Sequence, residues 1–405
     1  MALTSGVHRL CVLLCLALAL AGTTLHAAAM ELTVWSYATQ KIPDSAIREF
    51  EATHPGVTVT QLQPAGAFTT DGFLAASAAG IPPDLIHLNE PFLAMYVANN
   101  LIVPLTKYIE SGLIGELDVY FPGVVKTYQG AIWFIPHRIS ANTNFYNTQL
   151  IDEAGLDSRA LPTTWAEFRE TARKLTMGER IGALLSVRPN DIFPWFAPTL
   201  WQAGGDIFGP DGRLSIDTPE GLEALEFYVN AFQEGWAEPA WGTGQRSRLV
   251  SNEAVIFTHG NPVHMNEWIA EGIDWIQPGP LLQHRERAGF GSIAGWVITN
   301  GPNQDLAAEL LAVSLRREHV VQFLAETNLF PVRRDIGIDY FAPENREWAQ
   351  KFLNEVPYVR DQPMYADIAQ LRAVIAGALR PALDGEMAPS AALQEAQRLG
   401  NASLK

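Results

Sequence analysis

Cysteine is almost absent from this 405-residue chain: there are two, Cys11 and Cys15, and both fall within the first 29 residues. From residue 30 onward, disulfides, thiol nucleophiles and cysteine-ligated metals are therefore excluded. Positive charge is also short, with 28 Lys and Arg against 44 Asp and Glu and a formal charge of −16. Such a body repels nucleic acid and anionic membrane surfaces. After residue 29 no apolar run is long enough to span a bilayer. Phosphate- and dinucleotide-binding glycine loops are missing, as are an H-E-x-x-H helix and paired Cys/His spacing. Gly289-Phe290-Gly291-Ser292 does not have the G-x-S-x-G form of a hydrolase elbow. No metal, no cofactor and no catalytic residue is expected. A glycosidase needs only two carboxylates, which leave no pattern; Glu90 and Asp206 are candidates for such a pair. No solenoid-type repeat is present.

What is present begins with a leader. His8 and Arg9 precede an unbroken apolar segment at residues 11–21, and Ala27-Ala28-Ala29 supplies small residues for cleavage. This pattern reads as a secretory signal peptide cut after Ala29, with no lipid-attachment cysteine. Arg9 is the leader's one formal charge, so the exported part carries −17. The remaining length suits two ordinary domains. Its 48% hydrophobic and 18% charged residues are those of a globular protein, and 11 Trp offer flat apolar surfaces.

Strands and helices then alternate. Residues 31–37, 57–62 and 85–88 read as strands separated by helices, an order that predicts a parallel sheet covered on both faces. Asp44 or Ser45 is a candidate cap for the first helix, with Ala46, Ile47 and Phe50 inward. Thr164-Trp165-Ala166-Glu167 is a capping box leading into Phe168, Ala172 and Leu175 on one face. Thr218-Pro219 starts a helix whose Leu222, Leu225, Val229 and Phe232 keep helical spacing. Strands follow at 181–187, 254–258 and 296–299, with later helices at 302–316, around 368–379 and at 389–397.

One stretch combines a buried-strand pattern with polar chemistry. Ala131 to Ile135 is apolar and rich in strand formers, and Pro136 is expected to end that strand. His137, Arg138, Ser140 and Asn142 would then lie just past a strand end, where open α/β sheets bind ligands. Trp133, within the apolar run, is expected in the core.

Several segments, in this order, resemble the extracellular solute-binding proteins of bacterial ABC importers, in the sugar-binding, maltose-binding-protein-like group (family 1). They are E-L-T-V-W-S-Y, A-A-G-I-P-P-D-L-I-H-L-N-E, Y-Q-G-A-I-W-F-I-P with N-F-Y-N-T-Q-L-I-D-E-A-G-L and L-P-T-T-W-A-E-F, W-Q-A-G-G-D-I-F, S-N-E-A-V-I-F-T-H-G-N, G-S-I-A-G-W-V-I-T-N, N-L-F-P-V-R-R and G-A-L-R-P-A-L-D-G-E-M-A-P-S-A-A-L. The resemblance implies an α/β, two-lobe fold of the periplasmic-binding type II kind, with parallel-rich sheets and three hinge crossings. The crossings would fall near residues 137–140, 290–295 and 330–332. One lobe would comprise 30–137 with 295–330, and the other 138–294 with 331–405. It further implies a periplasmic monomer that captures a carbohydrate between the lobes and hands it to a membrane permease with its ATPase. Carried onto this chain, the implied ligand-binding residues are Trp35, Ser36, Tyr37, Asn89, Glu90, His137, Arg138, Trp195 (or Phe193), Gly260, Asn261, Gly295, Trp296, Phe330 and Arg333. The tryptophans would stack on sugar faces, and the polar groups would bind hydroxyls. The His137-Arg138 pair departs from the small or neutral residues common after that proline in relatives. With Arg333 it points to an alternative ligand, an anionic sugar derivative. A glycoside-acting enzyme, and an iron or polyamine binder, are the remaining readings.

Overall fold

The computed structural model describes residues 30–404 apart from 38–39, 64–69, 123, 241–243 and 366. The expected leader, with Cys11, Cys15 and the cleavage point at Ala29, lies outside the described residues.

Two sheets organise the chain. β1 (Met30–Trp35), β2 (Val57–Leu62) and β3 (Leu85–Asn89) pair in parallel with β1 in the middle, as the strand–helix alternation predicts. Leu32 and Val34 of β1 share a core with Ala46 and Phe50 of the helix Asp44–Thr53. That helix follows Pro43 and has no side-chain cap. Ser45, an expected cap, instead bonds His319 and Gln322.

The strand expected to end at Pro136 starts beside it. Gln129 and Gly130 both take positive φ, and Tyr128 and Ala131 exchange two backbone hydrogen bonds around them, closing a two-residue turn. β4 then runs Ile135–Ala141. It pairs antiparallel with β10 (Gly289–Ile298), and Arg138 faces Ala294 while Pro136 faces Gly295. The register slips by one at that point, so His137 is the extra residue of a bulge. A bulge is where a strand accommodates a proline that cannot donate to the ladder. Trp133 is half-buried, and its indole donates to the Tyr128 carbonyl at 2.9 Å.

β11 (Phe330–Pro331) flanks β4, and β12 (Val359–Arg360) pairs with the start of β10, giving the path β11-β4-β10-β3-β1-β2 with β12 beside it. The second sheet is β7-β6-β8-β5-β9, built from β5 (Thr143–Asn147), β6 (Ile181–Ser186), β7 (Ala237–Ala240), β8 (Ala254–Gly260) and β9 (Ile276–Pro278). Strand periodicity divides its residues between two cores. Phe145, Leu184 and Phe257 face one way, toward Trp268 and Phe352. Tyr146, Leu185 and Ile256 face the other, toward the helices Trp165–Leu175, Pro219–Gln233, Ile368–Leu383 and Pro389–Ser403. Both N-terminal signals read from sequence are present: the Thr164/Glu167 capping box, and Thr218 accepting from Gly221 N–H. The result is two α/β lobes with mixed sheets. Asn142, between β4 and β5, joins one sheet directly to the other.

Candidate functional site

Between the lobes lies a cleft of about 420 Å³. Tyr37, Gln40, Asn89, Phe92 and Arg138 come from the first sheet and its connections. Arg188, Asp191, Asn261 and Val263 come from the second sheet's connections, and Asp361, Gln362 and Arg372 from the C-terminal segment. A larger groove of about 1040 Å³ runs past Arg159, Lys174 and Lys351. Its lysines, Lys174 exposed and Lys351 half-buried, pair with exposed neighbouring glutamates, Lys174 with Glu170 and Lys351 with Glu347. Exposed pairs of this kind carry little directional chemistry. The interlobe cleft is different, because its polar groups, the exposed Arg188 apart, are buried or half-buried and converge.

Arg138 is the hub. It is 7% exposed, because β4 is the middle strand of the β11-β4-β10 ribbon. Its Nε donates to Gln40 Oε1 at 3.2 Å, Nη1 to Ser292 Oγ at 3.1 Å and to the Ser292 carbonyl at 3.4 Å, and Nη2 to Asn89 Oδ1 at 3.3 Å. Burial pulls the guanidinium down to about 10, with Asp361 and Tyr37 acting against the shift. Asp361 accepts from Ile293 N–H at 2.8 Å and Gln362 N–H at 2.6 Å. Burial, and then the charge of Glu90, push its carboxyl up to about 7. Across the cleft, Arg372 Nη1 reaches Asp191 Oδ2 and Gln362 Oε1, each at 3.3 Å. Burial raises Asp191, while Arg372 opposes that shift.

The expected site residues divide into two groups. Tyr37, Asn89, Arg138 and Asn261 line the cleft. Asn261 also caps the helix Pro262–Ala270 by accepting from Val263 N–H at 3.0 Å. Glu90 lies behind that wall, 1% exposed, paired with Lys126 at 2.9 Å and raised by burial.

The aromatic expectation needs correcting. Trp35 packs edge-on against Phe73 at 6.1 Å, and Trp195 and Trp296 are fully buried. Trp195 donates to the Asp191 carbonyl at 2.8 Å, bracing the loop that presents Asp191. Trp296 donates to His137 Nδ1 at 3.2 Å and packs against His87 at 4.7 Å. His137 is buried on the Phe323 ring, and burial lowers it to about 3. Phe193 is fully buried, and Phe330 sits among Phe341, Trp348 and Phe352. Ser36 is buried outside the cleft lining. A Cβ on Gly295 would collide with the Ile135 carbonyl, and one on Gly260 with the Phe145 ring, so both glycines serve close packing. Arg333 forms a two-pronged pair with Asp335 (2.9 and 2.7 Å) and donates to Leu315, away from the cleft. Asp206 accepts from Trp201 and Ile207, and neither it nor Glu90 lines the cleft.

Gln40, Arg188, Asp191, Ser292, Asp361, Gln362 and Arg372 are the polar cleft residues that sequence reasoning missed. The V-R-P-N-D turn after β6 carried the one available local signal, charged residues directly beyond a strand end. Nothing local marks Asp361 or Arg372.

Comparison with known proteins agrees with this geometry. Residues 35–319 match the model for the bacterial extracellular solute-binding protein family. A binding protein of Brucella abortus (strain 2308) is 24% identical over 96% of both chains. The arabinooligosaccharide-binding protein of Halalkalibacterium halodurans is 24% identical over 80% of this chain and 76% of its own. Among solved structures, the cyclic α-maltosyl-1,6-maltose binding protein of Arthrobacter globiformis superposes with a TM-score of 0.80 at 21% identity, covering 93% of this chain and 99% of that one. With more than half its length matched by the family model and both lobes in place, the chain belongs to the bacterial extracellular solute-binding proteins.

Proposed function

We propose that the protein captures a carbohydrate in the interlobe cleft by hinge closure and delivers it to an ABC permease and its ATPase. The observation that carries this reading is the convergence of Gln40, Asn89, Arg138, Asp191, Ser292 and Gln362 on one cleft beside Phe92, Val263 and Phe290. Hydroxyls need donors and acceptors held in place, and sugar C–H faces need apolar neighbours. The names of the arabinooligosaccharide- and maltosyl-maltose-binding relatives support the same ligand class. No group is required to transfer a proton, so binding and release without catalysis suffice. Export to the periplasm follows from the leader, with cleavage near Ala29, and the working form is a monomer. The hinge is placed at residues 137–140, 290–295 and 330–332, dividing the chain into 30–137 with 295–330 and 138–294 with 331–405. This placement is supported by β4, β10 and β11 being adjacent strands.

A thermal-shift screen of the purified protein against mono- and oligosaccharides tests the reading. A ligand that binds the native state raises the melting temperature according to RT ln(1 + [L]/Kd). A rise with a sugar, which is then recovered chemically unchanged, is expected. A rise only with peptides, polyamines or metal ions, or recovery of a cleaved sugar, would overturn it.

A further inference from the structure

The cleft is cationic within an anionic molecule. The whole chain carries a formal charge of −16, yet three guanidinium groups, Arg138, Arg188 and Arg372, line this one cavity with two carboxylates, Asp191 and Asp361. Both carboxylates are occupied. Asp191 is held by Arg372 and by Phe193 N–H at 3.1 Å, and Asp361 by two backbone N–H groups. Neither is hydrogen-bonded to Arg138.

Arg138 is the informative group. Every acceptor it touches among the described residues is neutral: an amide oxygen of Gln40, an amide oxygen of Asn89, and the hydroxyl and carbonyl of Ser292. Its hydrogen-bonding directions are largely satisfied, while the carboxylate that acts on its charge, Asp361, forms no ion pair or hydrogen bond with it. A guanidinium removed from water without a contacting anion carries a desolvation cost that an incoming anion offsets. Arg188, exposed at the end of β6, has no side-chain hydrogen bond or ion pair among the described residues. Its charge acts on Asp191 without direct contact, and it adds a second cation on the opposite wall. Sugar hydroxyls would supply acceptors to these groups, but no charge.

We propose that the captured sugar carries an anionic group, a carboxylate or phosphate, that seats between Arg138 and the Arg188/Arg372 wall. This deepens, and rests on, the reading of the cleft as a carbohydrate site. Planar forked donors match the oxygens of such groups, and the attraction is screened by salt when the cleft is open.

The test is isothermal titration with glucuronate, galacturonate and glucose 6-phosphate, beside the uronate methyl esters, the parent hexoses and glycerol 3-phosphate. Titrations are run at low and high salt on the wild type, Arg138→Met and Arg188→Met. A charged sugar is expected to bind at least tenfold tighter than its neutral counterpart. Binding should weaken with salt, fall at least tenfold in Arg138→Met and fall severalfold in Arg188→Met. The uronate and phosphate arms identify which anion is read. If Arg138→Met does not fold, the acid-against-ester ratio and the salt dependence of the wild type decide alone, with Arg188→Met as the exposed variant. Equal binding of acid and ester overturns the proposal and leaves carbohydrate capture standing. Binding of glycerol 3-phosphate with no sugar overturns the saccharide half and the carbohydrate reading with it. Binding of none overturns the proposal, and the saccharide melting screen then decides the carbohydrate reading by itself.

Discussion

His87 has neither ring nitrogen hydrogen-bonded among the described residues, and it is fully buried between Trp296 and His137. Burial, then the charges of His137 and Arg138, hold it well below the ordinary histidine range. A group depressed in the folded state binds its proton more readily in the unfolded chain. Its contribution to stability is complete above about pH 6.5, the ordinary value, and is lost as pH falls below it. His87→Leu replaces an unsatisfied polar ring with an apolar group of similar bulk, a change that is near-neutral or stabilising at pH 7. The melting temperature of the variant should therefore match or exceed the wild type at pH 7 and fall less steeply between pH 6.5 and 4. Melting curves across that range check it, and parallel acid limbs would contradict the assignment. The same residue scale shows why three tryptophans misled the sequence reading. Trp35 ends β1, Trp195 precedes the helix Phe196–Gln202 and Trp296 lies within β10, positions where stacking and packing look alike in sequence. Packing against Phe73, Tyr228 and His87 decided for the core.

Among elements, those announced by local signals were legible. The βαβαβ order, the Thr164/Glu167 capping box and the Thr218-Pro219 start all depend on neighbours within a few residues. β4 was not legible in the same way. Its Pro136 is tolerated through a bulge against β10, a partner some 150 positions along the chain and invisible to local pattern. Asp361 and Arg372 reach the cleft by the same long-range route, from a connection after β12 and a helix far along the chain. Gly295 tests the bulge directly. Alanine there drives a methyl group into the Ile135 carbonyl, so β10 and β4 must separate. Gly295→Ala is expected to cost about 1–3 kcal/mol, the usual range for overpacking, read from the denaturant midpoint. An unchanged midpoint would mean that the two strands are not packed as described.

For the whole molecule, the arrangement predicts that a bound sugar draws the lobes together. Small-angle scattering should record a smaller radius of gyration when a saturating ligand from the thermal screen is added. No change at saturation would mean that the cleft takes its ligand without closure. The ribbon β11-β4-β10 lies beside this cleft, and its central strand carries Arg138, so the residue proposed to read the ligand is also part of the proposed pivot. One further feature acquires a use at this scale. Val263 stands 45% exposed on the cleft wall, in a chain that has no thiol from residue 30 onward. In the protein from residue 30 onward, replacing it with cysteine would place a single reactive handle on the rim. An environment-sensitive dye attached there would turn each capture event into a change in emission, making the receptor an optical gauge of its own cargo.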